Sequence, residues 1–341
     1  MTRLPALSFL FACSCTTVLA QGKTADFQLA APEQKISNSL YSTIGYLDSR
    51  KDTTNLGIVQ LGAFNIKAKV VPRIPFRQQL TAMLDSLTDR TAGKGSLLLQ
   101  VEHFSFGEVT GAFSERGYFN LRANLYSDSG GLYQTVARID TLMVVKAGDV
   151  TKPMLRNASK LIIEFIASNL DKRASDPAYY SMNDVMNIDS IDKQKLKLYT
   201  TTTYADGIYL TYRAFRDQVP DKPIRAKLKD GQISSVRTTD SSGAWVKVKS
   251  KNLYALVYEG KPFAATTYGF YELGKRDNDF YFTGEVKVTA DATDVIVAGM
   301  IFGLLGSLLA SNADATFEMQ IDHVSGGFIR IREIKMPPDQ N

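Results

Sequence analysis

Hydrophobic positions along the chain follow first a helical and a strand period, and later almost only a strand period. Phe76, Leu80, Met83, Leu84 and Leu87 recur at three- and four-residue spacing behind Pro75, which predicts a helix with one buried stripe, ended by Gly93 and Gly95. Met154, Ala158, Leu161, Ile162, Phe165 and Ile166 repeat that pattern over about 151–170, with Pro153 in the first turn. Between the two, the continuous apolar run GSLLLQVEHFSFGEV (95–109) suits a strand covered on both faces. In YFNLRANLYS (118–127), Phe119, Leu121, Ala123 and Leu125 alternate with polar positions, which predicts a strand with one wet face. The turn cluster SDSGG then hands over to LYQTVARIDTLMVV as the returning arm of a hairpin. Ahead of the first helix, a polar leader (21–38) precedes an extended stretch, 55–71, bent at Gly57 and Gly62. The order strand, helix, three strands, helix makes an α+β layer over 21–172.

Residues 173–195 are polar, carry Pro177 and hold no period, so they read as a linker. Beyond them, over 196–341, come short strands: IYLTYRAF, IRAKLKDG, ISSVRTT, WVKVKS, LYALVYEG, PFAATTYGFYEL, DFYFTGEVKV, TFEMQID and GFIRIREI. Glycines punctuate them. The pattern predicts an antiparallel meander, closed into a barrel or folded as a sandwich. The fold class is therefore α+β, with a strand-helix-three strands-helix domain followed by a β domain.

One stretch breaks the second pattern. Residues 294–313 contain a run, 295–310, with no charge and only Ser307 polar. As a helix that run would span about 24 Å, short of the ~30 Å hydrocarbon slab. Its flanks, Asp294 and Asp314, lack the basic bias that orients a membrane span. Strands of one domain precede and follow it, so a single crossing would part strands that must pair. What remains is an apolar helical insertion with a small-residue ridge of Gly299, Gly303, Ser307 and Ala310. Gly299, Phe302, Gly303, Leu305, Gly306 and Leu309 are its candidate contacts with another subunit or a membrane.

Composition names a compartment more readily than a reaction. The 341 residues are 44% hydrophobic and 22% charged, ordinary for about two domains, and an excess of five cations is too diffuse for a nucleic-acid binder. Arg3, the apolar core LPALSFLFAC and the small residues before Gln21 form an export signal over 1–20. Both cysteines, Cys13 and Cys15, fall inside it, so cleavage after Ala20 leaves a chain without thiols. A rival cut before Cys13 would follow a lipobox that Phe11 fits poorly, and would leave a lipid-anchored protein. Either route leads to the bacterial envelope, in the periplasm or at the outer membrane.

The run from VEHFSFGEV through GYFNLRANLYS to YQTVARIDT, with the helix after it, resembles the small α/β domain of auxiliary lipoproteins that accompany envelope ABC-type lipid transport systems. The resemblance covers about 55–170 and rests on element order and strand pattern. It implies an accessory place beside an envelope transport system, with tethering through a lipidated cysteine for which Cys13 is the candidate. DGIYLTYRAFRDQVP looks like a phrase of uncharacterised secreted bacterial β-rich proteins, and implies no activity.

No catalytic signature stands out. His103 and His323 fall in different domains, and neither a Gly-x-Ser-x-Gly elbow nor a His-Glu-x-x-His pair is present. Paired acids could hydrolyse envelope polymers without histidine, and Asp277 with Asp279, or Glu102 with Glu108, are the pairs to examine. SDSGG and GKRDND lack the ligand series of a calcium loop. Neither a metal nor another cofactor is implied. In AWVKVKSK, strand alternation puts Val246 and Val248 on one face and Trp245, Lys247, Lys249 and Lys251 on the other. Lysine stems can cover the indole there, or the face can serve an anionic partner such as a lipid headgroup, a polysaccharide or an acidic protein. The expectation is an exported, non-enzymatic binding or assembly protein that associates with itself, another envelope protein or a membrane surface. A secreted hydrolase and a periplasmic lipid carrier are the alternatives.

Overall fold

A computed structural model describes residues 22–62, 64–110, 115–174, 176–285 and 316–334. The expected export signal (1–20) and the apolar stretch expected as a helical insertion, with Gly299, Phe302, Gly303, Leu305, Gly306 and Leu309, lie outside the described residues.

The first part of the chain builds one seven-stranded sheet from β1 (Thr24–Phe27), β2 (Tyr41–Asp48), β3 (Gly57–Leu61), β4 (Ile66–Pro72), β5 (Gly95–Thr110), β6 (Glu115–Asp128) and β7 (Tyr133–Ala147). β5 is its spine. It pairs antiparallel with β6 along nearly its whole length, and its other edge is shared by β2, parallel from Gly95 to Val101, and β3, parallel at Phe106 and Gly107. The leader expected to be polar therefore starts with a strand: Ala25 and Phe27 are buried while β1 pairs in parallel with β4. Four alternating residues are too few to stand out from a loop by period alone.

Helices α1 (Phe76–Leu87) and α2 (Thr151–Ala167) cover one face of this sheet. The apolar stripe of each is buried against Leu97, Leu99, Val101, Phe104 and Phe106 of β5 and Phe119, Leu121, Ala123 and Leu125 of β6. Each such side chain contributes about 1.5–3 kcal/mol on burial. Gly93 and Gly95 lie beyond the helix cap at Thr88; a Cβ at either would sit 2.7 or 2.5 Å from the Leu40 carbonyl oxygen. They allow β2 and the β5 entry to approach, and do not end the helix.

The opposite face of β5 and β6 is not wet. Residues 176–194, expected as linker, carry α3 (Met182–Met186) and α4 (Ile188–Gln194), and Val185 and Ile188 pack with Tyr180 on Leu98, Tyr126 and Tyr133. A capping box at Ser181 and Asp184 starts α3. The polar positions of β6 turn inward as well: Arg122 and Asn124 are buried. Alternation distinguishes two faces but not water from a buried polar network.

After α5 (Lys197–Thr200), the chain forms three small antiparallel sheets, and no barrel closes among the described strands. The first joins β8 (Gly207–Tyr209), β12 (Ala255–Tyr258), β13 (Lys261–Thr266) and β14 (Gly269–Glu272). After β8, Tyr212–Arg216 is a helix, α6, where the sequence had suggested continuous strand; the Thr211 hydroxyl accepts the Ala214 N–H as its cap and Phe215 is buried. The second sheet is β9 (Arg225–Lys229), β10 (Gln232–Thr239) and β11 (Trp245–Val248), and the third is β15 (Gly274–Arg276), β16 (Asp279–Glu285), β17 (Thr316–Ile321) and β18 (Phe328–Ile334). Phe280, Phe282, Phe317, Met319 and Phe328 share a core with Tyr209, Phe215 and Tyr254, so the first and third sheets pack together.

Candidate functional site

The alternating face expected around Trp245 belongs to the sheet of β9, β10 and β11, and the register between strands shows what stands beside it. Val236 opposes Val248 and Thr238 opposes Val246, and the inward residues Val236 and Thr238 are buried. On the outward face Arg237 is flanked directly by Arg225 of β9 and Lys247 of β11, and Lys227 opposes Ser235 one step along. Arg225, Lys227, Arg237, Lys247 and Lys249 are all exposed.

Trp245 is half-buried, with the Arg225 guanidinium carbon 4.1 Å from its ring centroid. The cation over the indole is thus an arginine from the far strand of the sheet, and not a neighbouring lysine stem. Lys251 sits in a 3₁₀ turn, Ser250–Asn252, where strand alternation has ended, so its grouping with Lys247 does not hold. Arg225, Lys227 and Arg237 were missed because register is set by two turns, at Gly231 and Gly243, that sequence spacing does not fix. The alternating cations of RAKLK were the available signal.

A second feature is the root of the apolar insertion. Glu285 of β16 and Thr316 of β17 are cross-strand partners. Two residues along each strand, Thr283 and Glu318 help line an open groove of about 440 Å³ with Phe263, Phe270, Tyr271, Glu272, Tyr281 and Phe282, and with Gly231 and Gln232 of the β9–β10 hairpin. Tyr271 stacks on Phe282, and a Cβ at Gly284 would stand only 2.9 Å from its ring. Arg276 and Arg332 both pair with Glu318, at 3.0 and 2.9 Å.

The acids considered for hydrolysis differ in burial and partners within each pair. Asp277 is exposed in the β15–β16 turn, whereas Asp279 is buried with its Oδ1 2.8 Å from Lys193 Nζ. Glu108 accepts the Gln60 N–H and the Thr151 hydroxyl, both at 2.6 Å, at the start of α2. Glu102 accepts the Asn124 amide at 2.6 Å, within a polar cluster on the other face of the sheet. Burial pushes both glutamates up, against those hydrogen bonds.

That cluster links the first sheet to the last. Arg122 donates to both oxygens of Asp322, at 2.9 and 2.5 Å, and to Asp140 at 3.1 Å. Burial pushes Asp322 up, but Arg122 and the Ser325 hydroxyl outweigh it and hold the carboxyl well below the usual range. His323 Nδ1 stands 3.2 Å from Asp189, and Lys193 bridges Asp189 and Asp279 at 2.7 and 2.8 Å. Burial, joined by Arg122, pushes His103 down to about 4, and burial lowers His323 as well, against Asp189 and Asp322. The charges pair with one another, as a structural network does. Among the described residues no group of three or more His, Cys, Asp or Glu is placed to hold a metal ion, and no helix is long and apolar enough to cross a membrane.

No protein-family model and no curated protein matches the chain. Among solved structures, it is similar to the crystal structure of protein XCC0632 from Xanthomonas campestris, of the DUF330 family, at 11% identity over 50% of this chain and 99% of that one, with a TM-score of 0.27. At that score the likeness carries no argument about fold or activity.

Proposed function

We propose that the protein is an exported, non-enzymatic binding or assembly protein of the bacterial cell envelope, and that the apolar stretch 295–310 supplies its contact with another subunit or a membrane. The pairing of Glu285 with Thr316 carries this reading. The segment that holds the stretch is bounded by two paired strand ends, so the sheet closes without it. An uncharged stretch of that length needs cover from a surface other than water.

The test is Gly303→Asp combined with Leu305→Asp, followed by fractionation of the host envelope with and without high salt. The variant is expected to keep the circular dichroism and melting temperature of the parent and to leave the particulate fraction. A variant that unfolds instead marks the stretch as core and removes the proposal. The aromatic groove beside Thr283 and Glu318 supports a second reading, a periplasmic lipid carrier. Mass spectrometry of organic extracts from the purified protein would find a stoichiometric lipid in that case.

A further inference from the structure

Residues 225–251 carry seven cations and two acids, a net charge of five that equals the excess of the entire chain. Folding concentrates it further. Arg225, Arg237 and Lys247 stand side by side across three adjacent strands, with Lys227 on the same outward face and Lys249 exposed just past the end of β11. Directly opposed like charges in an antiparallel pair destabilise it. Both acids sit at hairpin turns: Asp230 is at the tip, and Asp240 is occupied in accepting from Ser242 and Ala244. Among the described residues neither the four cations of the face nor Lys249 beside it has an ion-pair partner. A fold that assembles such a row without internal compensation leaves the compensation to something outside it.

We infer that this face is a docking surface for an anionic phospholipid bilayer, whose phosphates supply the missing negative charge. The face presents a row of exposed cations on a sheet with no enclosing walls, which suits a plane of headgroups better than a single small anion. The tryptophan at its margin, half-buried with its ring partly covered by Arg225, is the residue type that partitions at headgroup level. The basic row of β9 runs from Lys229, beside the hairpin tip, to Arg225, about 13 Å along the strand. The same tip borders the groove with Thr283 and Glu318, each two residues from the paired strand ends Glu285 and Thr316. A row of cations together with an interfacial tryptophan gives electrostatic attraction to anionic headgroups and an apolar contact at their level. The inference goes beyond the proposed function and holds whichever partner 295–310 meets.

The experiment is co-sedimentation of the full chain with vesicles of phosphatidylcholine alone and of phosphatidylcholine with an equal part of phosphatidylglycerol, over a salt series. Affinity for the anionic vesicles is expected to exceed that for the neutral ones and to fall with salt. Arg237→Gln is expected to weaken it about fivefold and Arg237→Glu about fivefold again. Because the carboxylate introduced by Arg237→Glu would pair with Arg225 and Lys247, the melting temperature should hold or rise, which a merely structural role for Arg237 would not produce. Lys227→Glu, at an exposed position of an edge strand, repeats the test on a second residue. The Gly303→Asp, Leu305→Asp variant is expected to keep the salt-sensitive part of binding; losing it there would assign the binding to the apolar stretch and overturn the inference. Equal binding to both vesicle types, or anionic binding unmoved by Arg237→Glu and Lys227→Glu, would overturn it too. So would capture by soluble dextran sulfate without vesicle binding, which would give the face to a soluble polyanion.

Discussion

Arg122 in β6 and Asp322 just past β17, 200 positions apart, meet in a buried two-pronged ion pair at 2.9 and 2.5 Å. The pair fastens the seven-stranded sheet to the turn between the last two strands, and Ser325 completes the shell of Asp322 from within that turn. Asp322→Asn keeps the shape but leaves Arg122 with only the more exposed Asp140, and is expected to cost about 3 kcal/mol. The urea midpoint at constant slope measures it. Arg122→Met with Asp322→Leu should recover most of the loss, because an apolar pair strands no charge. A single variant within about 0.5 kcal/mol of the parent would mean that the pair fastens nothing.

Acid should loosen the same region before the carboxylates there titrate. The unfolded chain takes up a proton on His103 near pH 6.5, which the native state refuses until about pH 4, so stability falls as pH drops through that window. His323 acts in the same sense, and Asp322 adds its own loss below the ordinary carboxylate range. Glu102 and Glu108 act in the opposite sense, since their raised affinity for a proton favours the native state on the acid side. His103→Gln is expected to remove up to about 3 kcal/mol of the decline between pH 6.5 and 4. Melting temperatures of parent and variant across that range check it; parallel curves would sink the idea.

Much of the first layer was legible because its burial is periodic. The stripes of α1 and α2 and the apolar positions of β5 and β6 all pack where their spacing puts them. What the spacing hid was the second face of β6. Arg122 and Asn124 look like solvent-facing residues in one dimension, and Asp322, the partner of Arg122, arrives from far along the chain. The tryptophan face was legible by half for a related reason. Alternation placed Trp245 and Lys247 together, but Arg225 and Arg237 join them only through the β9–β10–β11 register.

Gly326 has a narrow task in the turn that carries Asp322. Its φ of +75° suits glycine, and a Cβ there would stand 2.2 Å from Cγ of Tyr212. Tyr212 cannot yield freely, because its hydroxyl donates to the His323 carbonyl at 2.5 Å while Tyr254 donates to the Gly326 carbonyl at 2.8 Å. Gly326→Ala should therefore cost about 2–3 kcal/mol, and Gly231→Ala, with φ +77° but open space around it, only about 1 kcal/mol. Chemical denaturation of the two variants side by side separates crowding from backbone strain. Equal losses would show that the Tyr212 contact is soft.

The single tryptophan gives a direct reading of the basic face. With the Arg225 guanidinium at 4.1 Å, one side of the indole is shielded from water, and a cation over an exposed ring contributes about 0.5–1 kcal/mol. Arg225→Gln should move the emission to longer wavelength and raise quenching by acrylamide, with a stability loss no greater than that contact. Lys249→Gln and Lys251→Gln should leave both readings unchanged, since Lys249 lies past the end of β11 and Lys251 in the turn after it. The opposite result, a shift from either lysine variant and none from Arg225→Gln, would mean that neighbouring lysine stems cover the ring. Arg225 would then be free of the stack, and the register that places β9 across from β11 would have to be redrawn.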